Sequence, residues 1–152
     1  MSPSGQYCPS MAAQTLGYGG LIPFLGLAMS VWLLPVSHQA WAAKALLAYS
    51  AAIASFLGAI HWGLAMQDNK CQNTGLLLWG VIPSLLAWVA LLLPLASGLL
   101  LVAALLWACF GVDRVVYTRF GLRAWIPMRL VLTLVASLSC IAGALQWVGF
   151  AA

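Results

Sequence analysis

The sequence predicts an all-α integral membrane protein, folded as a compact bundle of five transmembrane helices. Only 5% of its residues are charged and 64% are hydrophobic, whereas a soluble domain devotes about a quarter of its residues to charge. Charged residues are absent from positions 1–39, from the stretch between Lys70 and Asp113, and from positions 130–152. Several segments reach the roughly 20 apolar residues that a spanning helix needs. Because lipid cannot hydrogen-bond to the backbone, these segments are predicted as helices rather than open strands.

The predicted spans follow one another with short connections, so residues 1–152 are expected to form a single domain. The approximate bounds of the five spans are 15–34, 42–66, 74–93, 99–116 and 125–147. The polar positions 67–73 predict a loop, and positions 94–98 predict a tight turn before the fourth span. Pro23 and Pro83 remove hydrogen bonds within the first and third spans, which predicts a kink in each and a cavity between them.

A weak internal repeat divides the spans into pairs. Positions 20–25 and 80–85 share the pattern Gly-x-Ile-Pro-x-Leu, and Leu-Leu-Pro follows each about a dozen residues later. A true repeat would make the bundle two parallel helical hairpins plus a fifth helix, as in small transport proteins. His61 and Asp113 would then occupy equivalent places. Chance similarity in a leucine-rich sequence is the alternative.

The distribution of basic residues predicts the orientation in the bilayer. Three arginines separate spans four and five, Arg129 lies about one turn beyond them, and Lys70 lies between spans two and three. Only Lys44 is expected on the other side. Since positive residues accumulate on the cytoplasmic side, we expect the amino terminus in the cytoplasm and the carboxyl terminus outside. The net charge of +4 is then explained by contact with the lipid bilayer, and no nucleic acid partner is expected.

Four polar side chains are expected at one depth near the cytoplasmic side, namely Tyr18, His61, Asp113 and Arg129. An ionisable group within a span costs about 2.5–3.5 kcal/mol, which makes these residues candidates for function. Asp113 and Arg129 form the natural ion pair, and we interpret it as a structural clamp in preference to a catalytic pair. His61 is either a hydrogen-bonded interior residue or a titrating or ligand-binding group. The small residues on its helix face predict a cavity beside the ring.

A ligand-binding hypothesis unites five residues. His61 and Arg129 would supply the polar end of the site, with Tyr18 at the same depth and Trp62 and Trp125 as walls. The anionic or hydrogen-bonding head group of a small lipophilic molecule would meet His61 from the cytoplasmic leaflet. The alternative assigns the tryptophans to membrane interfaces and helix packing.

Several chemistries are not expected. The sequence has no glycine-rich phosphate loop, no Gly-x-Ser-x-Gly and no metal-ligand spacing, so no metal site is predicted and no cofactor is identified. The four cysteines form no Cys-x-x-Cys and are interpreted as free thiols. No cleavable signal peptide is apparent. An intramembrane enzyme with His61 as general base and Asp113 as its partner is disfavoured, because no nucleophile or metal set accompanies them.

Several strings of the sequence resemble a known family. Residues 16–24, the string Phe-Leu-Gly-Ala-Ile-His-Trp-Gly at 56–63, residues 83–88 and the region of Arg129 are similar to an uncharacterised bacterial membrane-protein family related to mitochondrial transmembrane protein sixty-nine. The resemblance covers nearly the whole chain and implies a basic residue, histidine or arginine, at the position of His61. It implies a location in the bacterial cytoplasmic (inner) membrane and no activity. A looser likeness, in architecture alone, is to the tryptophan-rich sensory protein or translocator family, which binds tetrapyrroles and sterols and whose Trp-x-Pro-Pro motif is absent here.

Two functions remain open at this point. The first is a non-enzymatic module that binds or moves a small lipophilic or anionic ligand near the cytoplasmic leaflet. The second is an accessory or assembly subunit of a larger membrane complex, such as a respiratory one, in which the polar layer only locks the helices together. A ligand module predicts a cavity bordered by the polar layer. An assembly subunit predicts an apolar outer stripe fitted to a membrane-protein partner.

Overall fold

The structure is a computed structural model that describes residues 8–67 and 74–148. Its α-helices, in chain order, are α1 Met11–Gly19, α2 Leu21–Leu33, α3 Val36–Gln67, α4 Thr74–Leu92, α5 Leu95–Arg119 and α6 Ile126–Val148. A 3-10 turn, Arg123–Trp125, precedes α6. Within the described residues no strand occurs and five helical units are long and apolar enough to span a membrane, with α1 and α2 together forming the first. The all-α fold with five spans is confirmed, while the predicted loop after Gln67 lies outside the described residues.

The first span is interrupted between α1 and α2. Pro23 lacks the N–H that would extend the hydrogen-bond ladder of α1, so the helix is interrupted at Gly20 and α2 starts anew. The Gly20 N–H closes α1 on the Leu16 carbonyl at 3.1 Å. The Gly20 carbonyl accepts a hydrogen bond of 2.9 Å from the Tyr49 hydroxyl of α3. The interruption expected from the first proline is therefore present, whereas Pro83 lies inside an uninterrupted α4.

Two spans start earlier than predicted. α3 begins at Val36, so His38 lies within its first turn, although the second span was predicted to begin only at about position 42. α5 begins at Leu95, so the tight turn is confined to the chain around Pro94 and Gly98 belongs to the helix. Both helices start directly after a proline. The fixed φ angle of proline suits the entry to a helix, and its missing N–H is not needed there.

The helices pack as a ring in chain order. From α2 to α6 each contacts the next, α6 closes the ring against α2, and α3 and α5 also touch across the centre. The core is mostly aliphatic, and its fully buried members include Leu46, Leu99, Val102 and Leu106. The small-residue face predicted on α3 lies inside this core. This arrangement brings α3, α5 and α6 together around a group of buried ionisable side chains.

The crossing of α3 over α4 depends on two glycines. A side chain at Gly58 would collide with the Gly80 carbonyl, and a side chain at Gly80 would collide with the Trp62 indole. That indole donates from Nε1 to the Leu77 carbonyl at 3.0 Å. Glycine at both positions therefore allows the two backbones to approach closely.

Candidate functional site

Three ionisable side chains meet inside the bundle. Asp113 on α5 accepts two hydrogen bonds from Arg129 on α6, one from Nε at 2.8 Å and one from Nη2 at 2.5 Å, both at Oδ2. The other carboxylate oxygen, Oδ1, lies 3.4 Å from Nε2 of His61 on α3. All three residues are buried, with exposed fractions of 2%, 7% and 0% for the aspartate, arginine and histidine. We refer to them as the charge cluster.

Opposite charges make the charge cluster tolerable inside the bundle. A buried charge without a partner is costly, because the low-dielectric interior cannot replace its hydration. The guanidinium of Arg129 neutralises Asp113 through charge-assisted hydrogen bonds. Cys109 and Tyr117 lie about one turn before and one turn after Asp113 on α5, and both are buried. Within the described ranges no group of three or more His, Cys, Asp or Glu side chains is placed to hold a metal ion.

The imidazole of His61 faces two hydrogen-bond acceptors. Its Nδ1 lies 3.2 Å from the Leu57 carbonyl one turn earlier on α3. Its Nε2 faces Oδ1 of Asp113 but lacks hydrogen-bond geometry and has no other partner among the described residues. A neutral imidazole carries a single N–H. One of the two ring nitrogens therefore directs a lone pair at an oxygen whenever the ring is neutral.

An apolar cavity of about 160 Å³ lies beside the charge cluster. Its polar lining comes from Arg129 and Thr133 of α6, and its apolar lining includes Leu16, Leu21, Phe24, Phe56, Leu106 and Ala136. The Thr133 hydroxyl is buried and has no hydrogen-bond partner within the described part of the chain. Leu16 and Phe56 are exposed on the outer surface of the bundle. The cavity therefore opens sideways, where lipid would surround the protein.

The structure does not gather the five residues of the ligand-binding hypothesis around one cavity. Arg129 lines the cavity. His61 is not among the lining residues and reaches the arginine only through the shared carboxylate. Tyr18 and Trp62 are about 40% exposed, and Trp125 lines a separate surface pocket near the end of α5. None of the three aromatic residues lines the cavity, so its wall is aliphatic and phenylalanine-rich instead.

Sequence reasoning missed the apolar wall of this cavity. Phe24, Phe56 and Leu132 carry no pattern that distinguishes a wall from a lipid-facing or packed position in so apolar a chain. The usable signal was Pro23, because the interruption that it causes lies next to the cavity-lining Gly20. The contact of Tyr49 with the broken end of α1 gave no signal at all, since it joins positions far apart in the sequence.

Comparison with known proteins places the chain in a family without assigning it an activity. No solved structure matches the chain. Transmembrane protein 69 of Xenopus tropicalis is 39% identical over 84 residues, which cover 51% of this chain. The chain spans only 31% of the length of that relative. The sequence also matches the family described as Protein of unknown function (DUF3429) over residues 9–145, and because the match covers nearly all of the chain, the protein belongs to this family.

Proposed function

We propose that the protein is a non-enzymatic membrane module that binds a small lipophilic molecule carrying one hydrogen-bonding oxygen. The observation that carries the proposal is the buried Thr133 hydroxyl without a partner among the described residues. A threonine inside a helix ordinarily bonds back to a carbonyl of the preceding turn, and leaving a buried hydroxyl unpaired costs about 1–3 kcal/mol. A ligand oxygen would remove that cost. Arg129 would act as a second donor on the same wall.

The size and surroundings of the cavity support an apolar ligand body. A dry cavity of about 150 Å³ accommodates one benzene-sized group, and this cavity has a volume of about 160 Å³. Apart from Arg129 and Thr133, the side chains that line it are hydrocarbon. The exposed Leu16 and Phe56 at its edge would let a ligand enter from the bilayer rather than from water. A one-ring group or a short alkyl chain would therefore be held there.

Native mass spectrometry of the protein from mild detergent tests the binding function. We expect the wild-type protein to retain a small lipophilic molecule and Ala136→Phe, which fills the cavity, to lose it. Leu138→Phe is the matched control, because position 138 lies exposed on the same helix, and this variant should retain the ligand. Thr133→Val keeps the shape and removes the hydroxyl, so retention should fall about tenfold, equivalent to one lost hydrogen bond.

Two outcomes would count against the binding function. Equal retention by wild type, Ala136→Phe and Thr133→Val would place the molecule elsewhere on the protein. A stoichiometric membrane-protein partner in place of a small molecule would favour the alternative, an accessory or assembly subunit of a larger complex.

The proposed location is the bacterial inner membrane, with the amino terminus in the cytoplasm and the carboxyl terminus outside. The support is the exposed group of arginines at the end of α5 and in the following turn, Arg114, Arg119 and Arg123. A reporter that is active only in the cytoplasm should be inactive when fused after Ala152 and active when inserted between α5 and α6. The reverse pattern of reporter activity would overturn the orientation.

A further inference from the structure

We propose that the cavity takes its ligand as an anion and that His61 binds one proton when the anion enters. This inference rests on the proposed binding function and adds the charge of the ligand and its coupling to pH. The chemical class is a small amphiphile with a single anionic head group, such as a carboxylate, on an apolar body. Three features support it: the two acceptors around His61, the charge balance of the charge cluster, and the position of Arg129 between that cluster and the cavity.

Each ring nitrogen of His61 faces one oxygen. Its Nδ1 lies 3.2 Å from the Leu57 carbonyl and its Nε2 lies 3.4 Å from Oδ1 of Asp113. Either neutral tautomer leaves one ring nitrogen with a lone pair that faces an oxygen. The imidazolium has an N–H at both nitrogens, so it removes that lone pair and places a positive charge beside the Asp113 carboxylate, 3.4 Å from Oδ1. The site is thus arranged to accept a proton on Nε2.

The net charge of the charge cluster depends on whether His61 is protonated. With neutral His61, the charges of Asp113 and Arg129 cancel, and an entering anion would bring the region to a net charge of −1. With protonated His61 the charge cluster carries +1, and the same anion restores neutrality. Because net charge in a low-dielectric interior is costly, the anion and the proton each favour the binding of the other. The coupling is reciprocal by thermodynamic necessity.

Arg129 connects the proton site to the cavity. Arg129 donates two hydrogen bonds to Oδ2 of Asp113 and also lines the cavity. A protonated His61 would share the negative charge of the same carboxylate with Arg129. The guanidinium is then less completely neutralised and can bind an anionic oxygen, together with the Thr133 hydroxyl. The ring itself never needs to touch the ligand.

The other ionisable groups around His61 are less suited than its imidazole to bind the proton that accompanies the anion. Cys109 and Tyr117 lie about one turn before and one turn after Asp113 on α5, and thiols and phenols are ordinarily neutral below about pH 8. The sequences of α2 and α4 contain no ionisable side chain, and α1 contributes only Tyr18. His38, the second histidine of the chain, is exposed at the start of α3. Histidine is the side-chain type that ordinarily changes charge between about pH 5 and pH 8, and His61 is the histidine of the charge cluster.

The test uses two probes that do not titrate in this range, the anion hexane-1-sulfonate and the neutral 1-hexanol. Binding to the full chain in lipid nanodiscs is measured by calorimetry at about pH 5.5 and about pH 8, the range of histidine titration, with protein-free nanodiscs subtracted. We expect the sulfonate to bind at least tenfold more tightly at the lower pH, with uptake of about one proton, as linkage requires. The affinity for hexanol should not depend on pH.

Variants of the two histidines separate the proton site from a general effect of pH. His61→Gln should bind the sulfonate weakly at both pH values, and His61→Arg, which is permanently charged, should bind it tightly at both. His38→Gln is the matched control and should behave as wild type. Each variant is first checked for wild-type helix content and a single oligomeric species, and the arginine variant keeps the test decisive should the glutamine variant misfold.

The outcomes distinguish this inference from the function on which it rests. If hexanol binds and the sulfonate binds with the same affinity at both pH values, or binds at neither, the proton-linked anion site is wrong while the apolar binding function stands. If neither probe binds wild-type protein at either pH, the binding function itself is wrong. Unchanged pH dependence in His61→Gln would also overturn the assignment of the proton to His61.

Discussion

Replacing Asp113 by asparagine should lower the free energy of unfolding by about 3–5 kcal/mol, the usual cost of removing one partner of a buried ion pair. The substitution keeps the shape of the side chain and removes its charge. Arg129, 7% exposed, would then be a buried cation without a counter-ion. His61 would also lose the carboxylate that faces its Nε2. The measurement is reversible unfolding in mixed detergent micelles, followed by helix content.

A double-mutant cycle separates the ion pair from other effects of the substitution. Arg129→Gln alone should also destabilise, because it leaves the carboxylate unpaired. The combination of Asp113→Asn with Arg129→Gln should recover at least half of the summed loss, since neither charge then remains. Arg119→Gln, at an exposed position of α5, is the control and should change stability by no more than about 0.5 kcal/mol. Strictly additive effects would contradict the role of the ion pair as a structural clamp.

Replacing Gly58 by alanine should destabilise the protein by about 1–3 kcal/mol, although alanine is the better helix former. The added Cβ would collide with the backbone carbonyl of Gly80 and lie 3.5 Å from Cδ of Pro83. A backbone oxygen cannot move away as the end of a flexible side chain can. α3 and α4 would therefore have to separate, and the packing of Trp62 across Gly80 would be lost. Equilibrium unfolding in mixed micelles gives the size of the loss.

A second glycine on α3 provides the matched control. A Cβ at Gly63 would meet no atom within 4 Å, so Gly63→Ala adds the same methyl group to the same helix without a collision. It should leave the protein as stable as wild type or up to about 1 kcal/mol more stable, from the higher helix propensity of alanine. Equal stability of the two variants would show that the crossing of α3 over α4 tolerates a methyl group at Gly58.

The order and length of the spans predicted which ionisable residues meet, but not the direction of every polar side chain. The sequence suggested that His61, Asp113 and Arg129 lie in one layer, because the order of the spans and the length of each helix determine depth. The structure brings these three side chains into contact. Depth did not determine direction, however. Tyr18 and Trp62, which were expected beside the polar layer, are about 40% exposed.

The helix boundaries show a second limit of sequence reasoning. The spans were predicted to begin at about positions 42 and 99, but α3 and α5 begin directly after Pro35 and Pro94. An apolar stretch indicates where lipid lies, whereas a helix continues as long as its backbone bonds are satisfied. Polar residues at a helix entry, such as His38, therefore do not mark a loop.

The sequence by itself determined the membrane environment, the all-α class, the number of spans and the identity of the ionisable groups. These properties follow from composition and from the length of each apolar segment, because the bilayer restricts a chain to satisfied helices. The tertiary structure alone decided that Asp113 lies between His61 and Arg129, that Thr133 faces a cavity, and that Gly58 meets Gly80. In a chain this apolar nearly every helix face is hydrophobic, so the pattern of residues does not distinguish lipid from protein neighbours. Only the packing of one helix against another makes that distinction.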